Sequence, residues 1–124
     1  MENIKLQKGY NVPFISFDAK TGELKMAGRA HPENAESTFN PLIEWVEKYT
    51  ESPAPDTTFE IDLEYFNSSA SKTLYKIFSD LIEISDRTNL TVKWHYYDED
   101  SLEVANDYET ILGFKMVLID ATER

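Results

Sequence analysis

The side chains in this sequence that have the right type and spacing for chemistry are carboxylates and hydroxyls. Glu60, Asp62 and Glu64 recur at every second position of Thr57–Phe66, between Phe59, Ile61, Leu63 and Tyr65. In an extended chain all three carboxylates project from one face about 7 Å apart, a set that could hold a metal ion or relay a proton. Acid–base work requires one carboxyl to be desolvated so that its proton is held more tightly, whereas a wet strand face between lysines favours the charged form. The pattern therefore reads as a solvated face, with a metal-dependent enzyme as the competing reading. His31 and His95 have no second histidine or cysteine at a ligand spacing, and the four glycines are too scattered for a phosphate-binding loop or a dinucleotide fingerprint. No catalytic residue, metal or cofactor is expected.

The hydroxyls concentrate in Asn67-Ser68-Ser69-Ala70-Ser71-Lys72, where the strict alternation ends and a helical spacing begins. The plain reading is a helix cap, with Ser68 or Ser69 accepting a hydrogen bond from a first-turn N–H for about 1 kcal/mol. The functional reading starts from the same geometry. The carboxyl end of a parallel strand opening into a helix N-terminus is where α/β sheets display recognition groups. A phosphate on such a hydroxyl would add nearly two negative charges beside N–H groups that tolerate them and change the sign of the surface.

Those residues are positioned by a regular succession of elements. Ile4–Leu6, Phe14–Phe17 and Glu23–Arg29 read as short strands. Phe39, Leu42, Ile43, Val46 and Tyr49 form the stripe of a first helix, beginning either behind Asn34 or at Pro41 behind Asn40. Thr57–Phe66 is a strand with Phe59, Ile61, Leu63 and Tyr65 inward, followed by a second helix through Leu74, Ile77, Phe78, Leu81 and Ile82. Leu90–Tyr97 alternates again, with Leu90, Val92, Trp94 and Tyr96 on the apolar face. Asp98–Leu112 reads as a helix with Leu102, Ala105, Tyr108 and Ile111 inward, stopped by Gly113, and Lys115–Ile119 as the last strand. Trp45 lies off the stripe of the first helix and either rims the core or meets a partner.

The order βββαβαβαβ predicts an α/β two-layer sandwich: a mixed, mostly parallel sheet with helices on one face and antiparallel first strands. Lys25, Arg29, Lys93 and His95 would face the three carboxylates across the open side. The 124 residues suffice for one domain spanning 1–124, with no internal repeat. Acidic residues outnumber basic ones 23 to 12, a net charge of −11 that disfavours nucleic acid and anionic membranes as partners. There is no cysteine, no apolar signal segment and no membrane-length apolar run, so a cytoplasmic protein is expected.

Several blocks resemble the SiaC-type bacterial regulatory phosphoproteins, whose fold looks like that of the SpoIIAA and STAS anti-sigma-factor antagonists. They are Gly28 with His31-Pro32-Glu33-Asn34, Ile43-Glu44-Trp45-Val46-Glu47, Tyr65-Phe66-Asn67-Ser68-Ser69 with Lys72, and Trp94-His95-Tyr96-Tyr97-Asp98. The resemblance implies a non-enzymatic partner-switching protein. Its unmodified form would bind and activate a diguanylate cyclase, raising cyclic-di-GMP. A dedicated protein kinase would phosphorylate the hydroxyl after the asparagine, here Ser68 in place of the family's threonine, and a PP2C-like phosphatase would restore it. Asn67, Ser69, Ser71 and Lys72 would then belong to the docking surface together with His31, Glu33 and Asn34 of the adjoining loop, although His31-Pro32-Glu33-Asn34 reads first as loop structure, since Pro and Asn set a helix entry without further purpose. The alternatives are an antagonist that binds an anti-sigma factor and a constitutive binding module without a switch.

Overall fold

The computed structural model describes residues 1–123. Strands β1 (Ile4–Leu6), β2 (Phe14–Asp18) and β3 (Glu23–Ala30) precede α1 (Ala35–Tyr49), β4 (Asp56–Phe66), α2 (Ser68–Glu83), β5 (Asn89–Tyr96), α3 (Glu99–Leu112) and β6 (Val117–Asp120). The strands form one sheet in chain order, antiparallel across β1–β2–β3 and parallel from β3 to β6. Each helix links two adjacent parallel strands. Right-handed crossovers between such neighbours carry every helix to the same face, as the βββαβαβαβ order predicts.

Between the layers lie Leu24 and Met26 of β3, Phe59, Ile61 and Leu63 of β4, and Val92 and Trp94 of β5. They pack against Leu42, Val46 and Tyr49 of α1 and against Leu74, Ile77, Phe78 and Leu81 of α2, all buried. Trp45 belongs to this core rather than to a partner surface. It is buried, stacks on Tyr49 with ring centroids 5.3 Å apart, and donates its indole N–H to the Glu2 carbonyl at 2.7 Å.

One open alternative is decided and two expectations need correction. Helix α1 starts behind Asn34, whose Oδ1 accepts from the Ser37 N–H at 3.1 Å, so Pro41 lies inside the helix and not at its first position. The inward stripe of α3 is Ser101, Ala105, Tyr108 and Leu112, and Ile111, about 100° round the helix from it, is 65% exposed. Strand β6 begins two residues late, because the Met116 N–H is taken by Glu109 Oε2 at 2.8 Å. On the open side, His95 Nε2 meets Glu60 Oε2 at 2.7 Å and the Tyr97 hydroxyl donates to Asp62 at 2.5 Å. His95 thus faces the carboxylates as expected, with Lys25 and Lys93 in register beside Glu60; Tyr97 joins it, and the His95 side chain is only 11% exposed.

The alternation in β4 also fails at one point. Gly28 is in register with Leu63 but Arg29 with Tyr65, so Glu64 is an extra residue on β4. This β-bulge reverses the phase: Tyr65 turns outward, 47% exposed, and Phe66 turns inward against Trp94. Opposite it, Gly28 takes a φ of 111°, where a side chain would be strained.

The end of the sheet where β4 begins is closed by a ring of hydrogen bonds. Thr88 Oγ1 lies 2.7 Å from the Ala54 carbonyl, which can only accept, so the Thr88 proton goes there. Thr57 must then donate to Thr88 at 2.7 Å and Tyr49 to Thr57 at 2.7 Å, while Tyr49 accepts from the Ala54 N–H at 3.1 Å. Every proton has one direction, and the ring joins the end of α1, the start of β4 and the approach to β5. Replacing Thr57 by Val keeps the shape but leaves a donor and an acceptor unsatisfied in a buried site. Thr57→Val is expected to lower unfolding free energy by about 2 kcal/mol, read from a urea melt, whereas Thr50→Val on the exposed side of the same turn should change it far less.

Candidate functional site

Strand β4 runs directly into α2, with Asn67 as the hinge between them. Its backbone N–H donates to the Ala30 carbonyl at 3.0 Å, tying the junction to the end of β3. Its backbone is extended, at φ −92° and ψ −177°, and its Oδ1 accepts from the Ala70 N–H at 3.0 Å and from the Ser69 hydroxyl at 2.8 Å. The cap is therefore Asn67 and not Ser68 or Ser69: the asparagine reaches the third amide of the helix, while Ser68 is already its first residue.

The hydroxyls at the junction divide by what they touch. Ser69 is committed to Asn67. Ser71 faces α3: Tyr108 donates to the Ser71 carbonyl at 2.8 Å, so the close contact between the two hydroxyls has Ser71 Oγ as its donor. Ser68 is exposed, and so is Lys72. Ser68 thus presents its hydroxyl to solvent at the first position of a helix, where N–H groups lack intrahelical acceptors and the helix dipole favours negative charge. Helices α1 and α3 carry Glu36 and Glu99–Asp100 in their first turns, whereas α2 has no acidic residue there.

The loop after β3 reaches the same edge of the sheet. Glu33 and Asn34 are exposed, with Asn34 occupied as the α1 cap, and Pro32 is buried. His31 is half-buried, its ring edge-on to Tyr10 at 5.7 Å and to Tyr65 at 5.4 Å. Beyond Tyr65 stands Arg29, its guanidinium carbon 5.1 Å from the ring centroid. Tyr10, at 87% exposure, and Tyr65 are surface groups that strand and helix periodicity did not single out. The available signal was the adjacent pair Tyr65-Phe66 at a strand end, where one of the two rings must face water. The structure thus brings His31, Asn67, Ser68 and Ser69 to one edge, and it holds the Ser71 side chain away from that edge against α3.

The carboxylate set of β4 does not form an ion site. Glu60 and Asp62 are held by His95 and Tyr97, Glu64 sits on the bulge, and among the described residues no group of three or more histidine or acidic side chains is arranged to hold a metal. No helix among the described residues is long and apolar enough to cross a membrane.

The family model of the SiaC family regulatory phosphoproteins matches residues 6–120. An uncharacterised protein of Pseudomonas aeruginosa strain UCBPP-PA14 is 26% identical, over 95% of this chain and 96% of its own length. Apo-SiaC from Pseudomonas aeruginosa superposes with a TM-score of 0.84 at 26% identity, covering 96% of this chain and 99% of that one. The SiaC chain in a crystal structure of the diguanylate cyclase SiaD with its activator SiaC, from the same organism, superposes at 0.82 with 25% identity, over 94% and 98% of the two chains.

Two outcomes follow for the junction. Asn67→Ala removes the acceptor for the Ala70 N–H and the Ser69 hydroxyl and is expected to cost about 1 kcal/mol, with Asn67→Asp near neutral in the same melt. Burial pushes the Tyr108 phenol above its ordinary 10.0, partly offset by the Ser71 hydrogen bond. The unfolded chain therefore loses this proton first. The contribution is complete below about pH 10 and is lost as pH rises through the folded value. In urea melts across this range, Tyr108→Phe should fall less steeply at high pH than the parent.

Proposed function

Since the chain belongs to the SiaC family of regulatory phosphoproteins, we propose that it is a non-enzymatic switch in which Ser68 decides whether a diguanylate cyclase is bound and activated. The observation that carries this reading is the exposed Ser68 hydroxyl at the head of α2, on a first turn free of acidic residues. It is supported by a relative, SiaC, that shares the fold and is described as the activator of the diguanylate cyclase it was crystallised with.

In the unmodified state the surface around Ser68 and Lys72, continued by the His31 to Asn34 loop, docks on the cyclase. A Ser/Thr kinase transfers the γ-phosphoryl group of ATP to Ser68 Oγ, the hydroxyl proton leaves and ADP is released. The product carries about −1.5 to −2 charges at neutral pH, which would have to be desolvated on docking. A PP2C-like phosphatase hydrolyses the ester to the hydroxyl and inorganic phosphate. The helix survives the change because its N-terminus tolerates negative charge, so the protein persists as a folded, non-binding form. A chain of this kind acts in the cytoplasm, where cyclase output is made.

The test has two arms. Phosphopeptide mass spectrometry on protein recovered from its own cells should find Ser68 modified at an occupancy that changes with growth conditions. The chain carrying phosphoserine at 68 should bind the cyclase of the same cells at least about 100-fold more weakly than the unmodified chain, with Ser68→Ala binding as the unmodified chain does. Equal binding by the phosphorylated and unmodified forms would overturn the switch.

A further inference from the structure

The bulge in β4 has a local effect that a plain strand end would lack. By adding Glu64 it places Tyr65 on the open side, directly opposite Arg29 of β3. The arginine lies over the ring at 5.1 Å, and the stem of Lys8 runs across neighbouring Gly28. The chain has 23 acidic residues, yet among the described ones no carboxylate comes within ion-pairing distance of Arg29. The guanidinium is held by an aromatic face, and its N–H fork has no hydrogen-bond partner among the described residues.

Ser68 is close by. The Asn67 N–H donates to the Ala30 carbonyl at 3.0 Å, so Arg29 stands one residue before that bond on β3 and Ser68, the first residue of α2, one residue beyond it. With successive Cα atoms about 3.8 Å apart, a long arginine side chain and a phosphorylated serine can meet over the end of the sheet. Charge-assisted, bidentate bonds from a guanidinium to a phosphate are stronger than its hold on a ring.

We infer that Arg29, displayed by the bulge and parked on Tyr65, is the binding site for a phosphomonoester, and that the ester it takes is the phosphoryl group on Ser68 of the same chain. This rests on the reading of Ser68 as the modified residue and adds how the modified state is held. Capture draws the guanidinium off Tyr65, so modification alters both the charge of the surface and the group that covers its exposed ring. Glu33 and Glu64 oppose the phosphate from the neighbouring loop and the bulge, while Lys8, His31 and Lys72 supply the remaining positive or proton-binding groups of this edge.

The experiment uses the full chain with phosphoserine installed at 68 during translation, so that no kinase is needed. The phosphate is titrated by 31P NMR in the parent and in Arg29→Gln. The head of α2 acts on the phosphate equally in both, so only the difference between them reports on Arg29. The expected result is a second phosphate pKa higher by at least about half a unit in Arg29→Gln, a threefold change in proton affinity. The Arg29 side-chain N–H resonance of the parent should move along the same titration. That resonance decides the matter if the variant does not fold. Equal titration curves, or for an unfolded variant an Arg29 resonance that ignores the phosphate, would overturn the inference. Neither result depends on whether cells phosphorylate Ser68, so a failure here is distinct from a failure of the switch.

Discussion

The right-handedness of the crossover between neighbouring parallel strands governs this molecule. Because β3, β4, β5 and β6 are parallel and lie in chain order, every helix begins at the carboxyl edge of the sheet and returns over one face. The three caps, Asn34, Asn67 and Asp98, therefore share an edge. At the opposite end the returning segments are bound by the ring of Tyr49, Thr57, Thr88 and Ala54. One end of the sheet is locked by buried polar bonds of fixed direction, and the other presents helix heads and loops to solvent.

Among those helix heads, α2 is distinguished by what it lacks. The first turns of α1 and α3 carry carboxylates that already answer the helix dipole, and α3 adds a capping box between Asp98 and Ser101. The head of α2 is capped by the neutral side chain of Asn67 and carries serines. In a chain of net charge −11, this is a place where added negative charge meets a helix end not yet answered by an acid. Lys72 follows on the same helix.

The order of elements was legible because each apolar stripe has a clear period. Helical spacing in Leu74, Ile77, Phe78 and Leu81, and alternation in Phe59, Ile61 and Leu63, leave little choice of partner layer. Local competitions were not legible. Asn34 and Asn40 both cap well in isolation, and packing of Phe39 into the core selects the longer α1. Ser68 and Ser69 have the right chemistry for a cap, but Asn67 has the longer reach and the extended backbone. Ser68 itself was visible as a hydroxyl at a strand–helix junction; Tyr65 was hidden because the bulge that exposes it breaks the alternation used to find it. His95 was legible as a group facing the carboxylates, whereas Tyr97 read as an ordinary member of a wet face and only the strand register brings its hydroxyl onto Asp62.

A strand is read two residues at a time, and the extra Glu64 shifts that reading frame once, between the part of β4 that serves the core and the part that meets the surroundings. Upstream, substitutions are constrained by packing; downstream, Tyr65 is held to no partner layer and can change identity with little loss to the core. Length is another matter. Inserting one more residue between Leu63 and Tyr65 would act on the strand as a frameshift acts on a message, turning Tyr65 into the core and Phe66 out to water. Descendants of this chain are thus freer to rewrite what the surface says than to alter the spacing in which it is written.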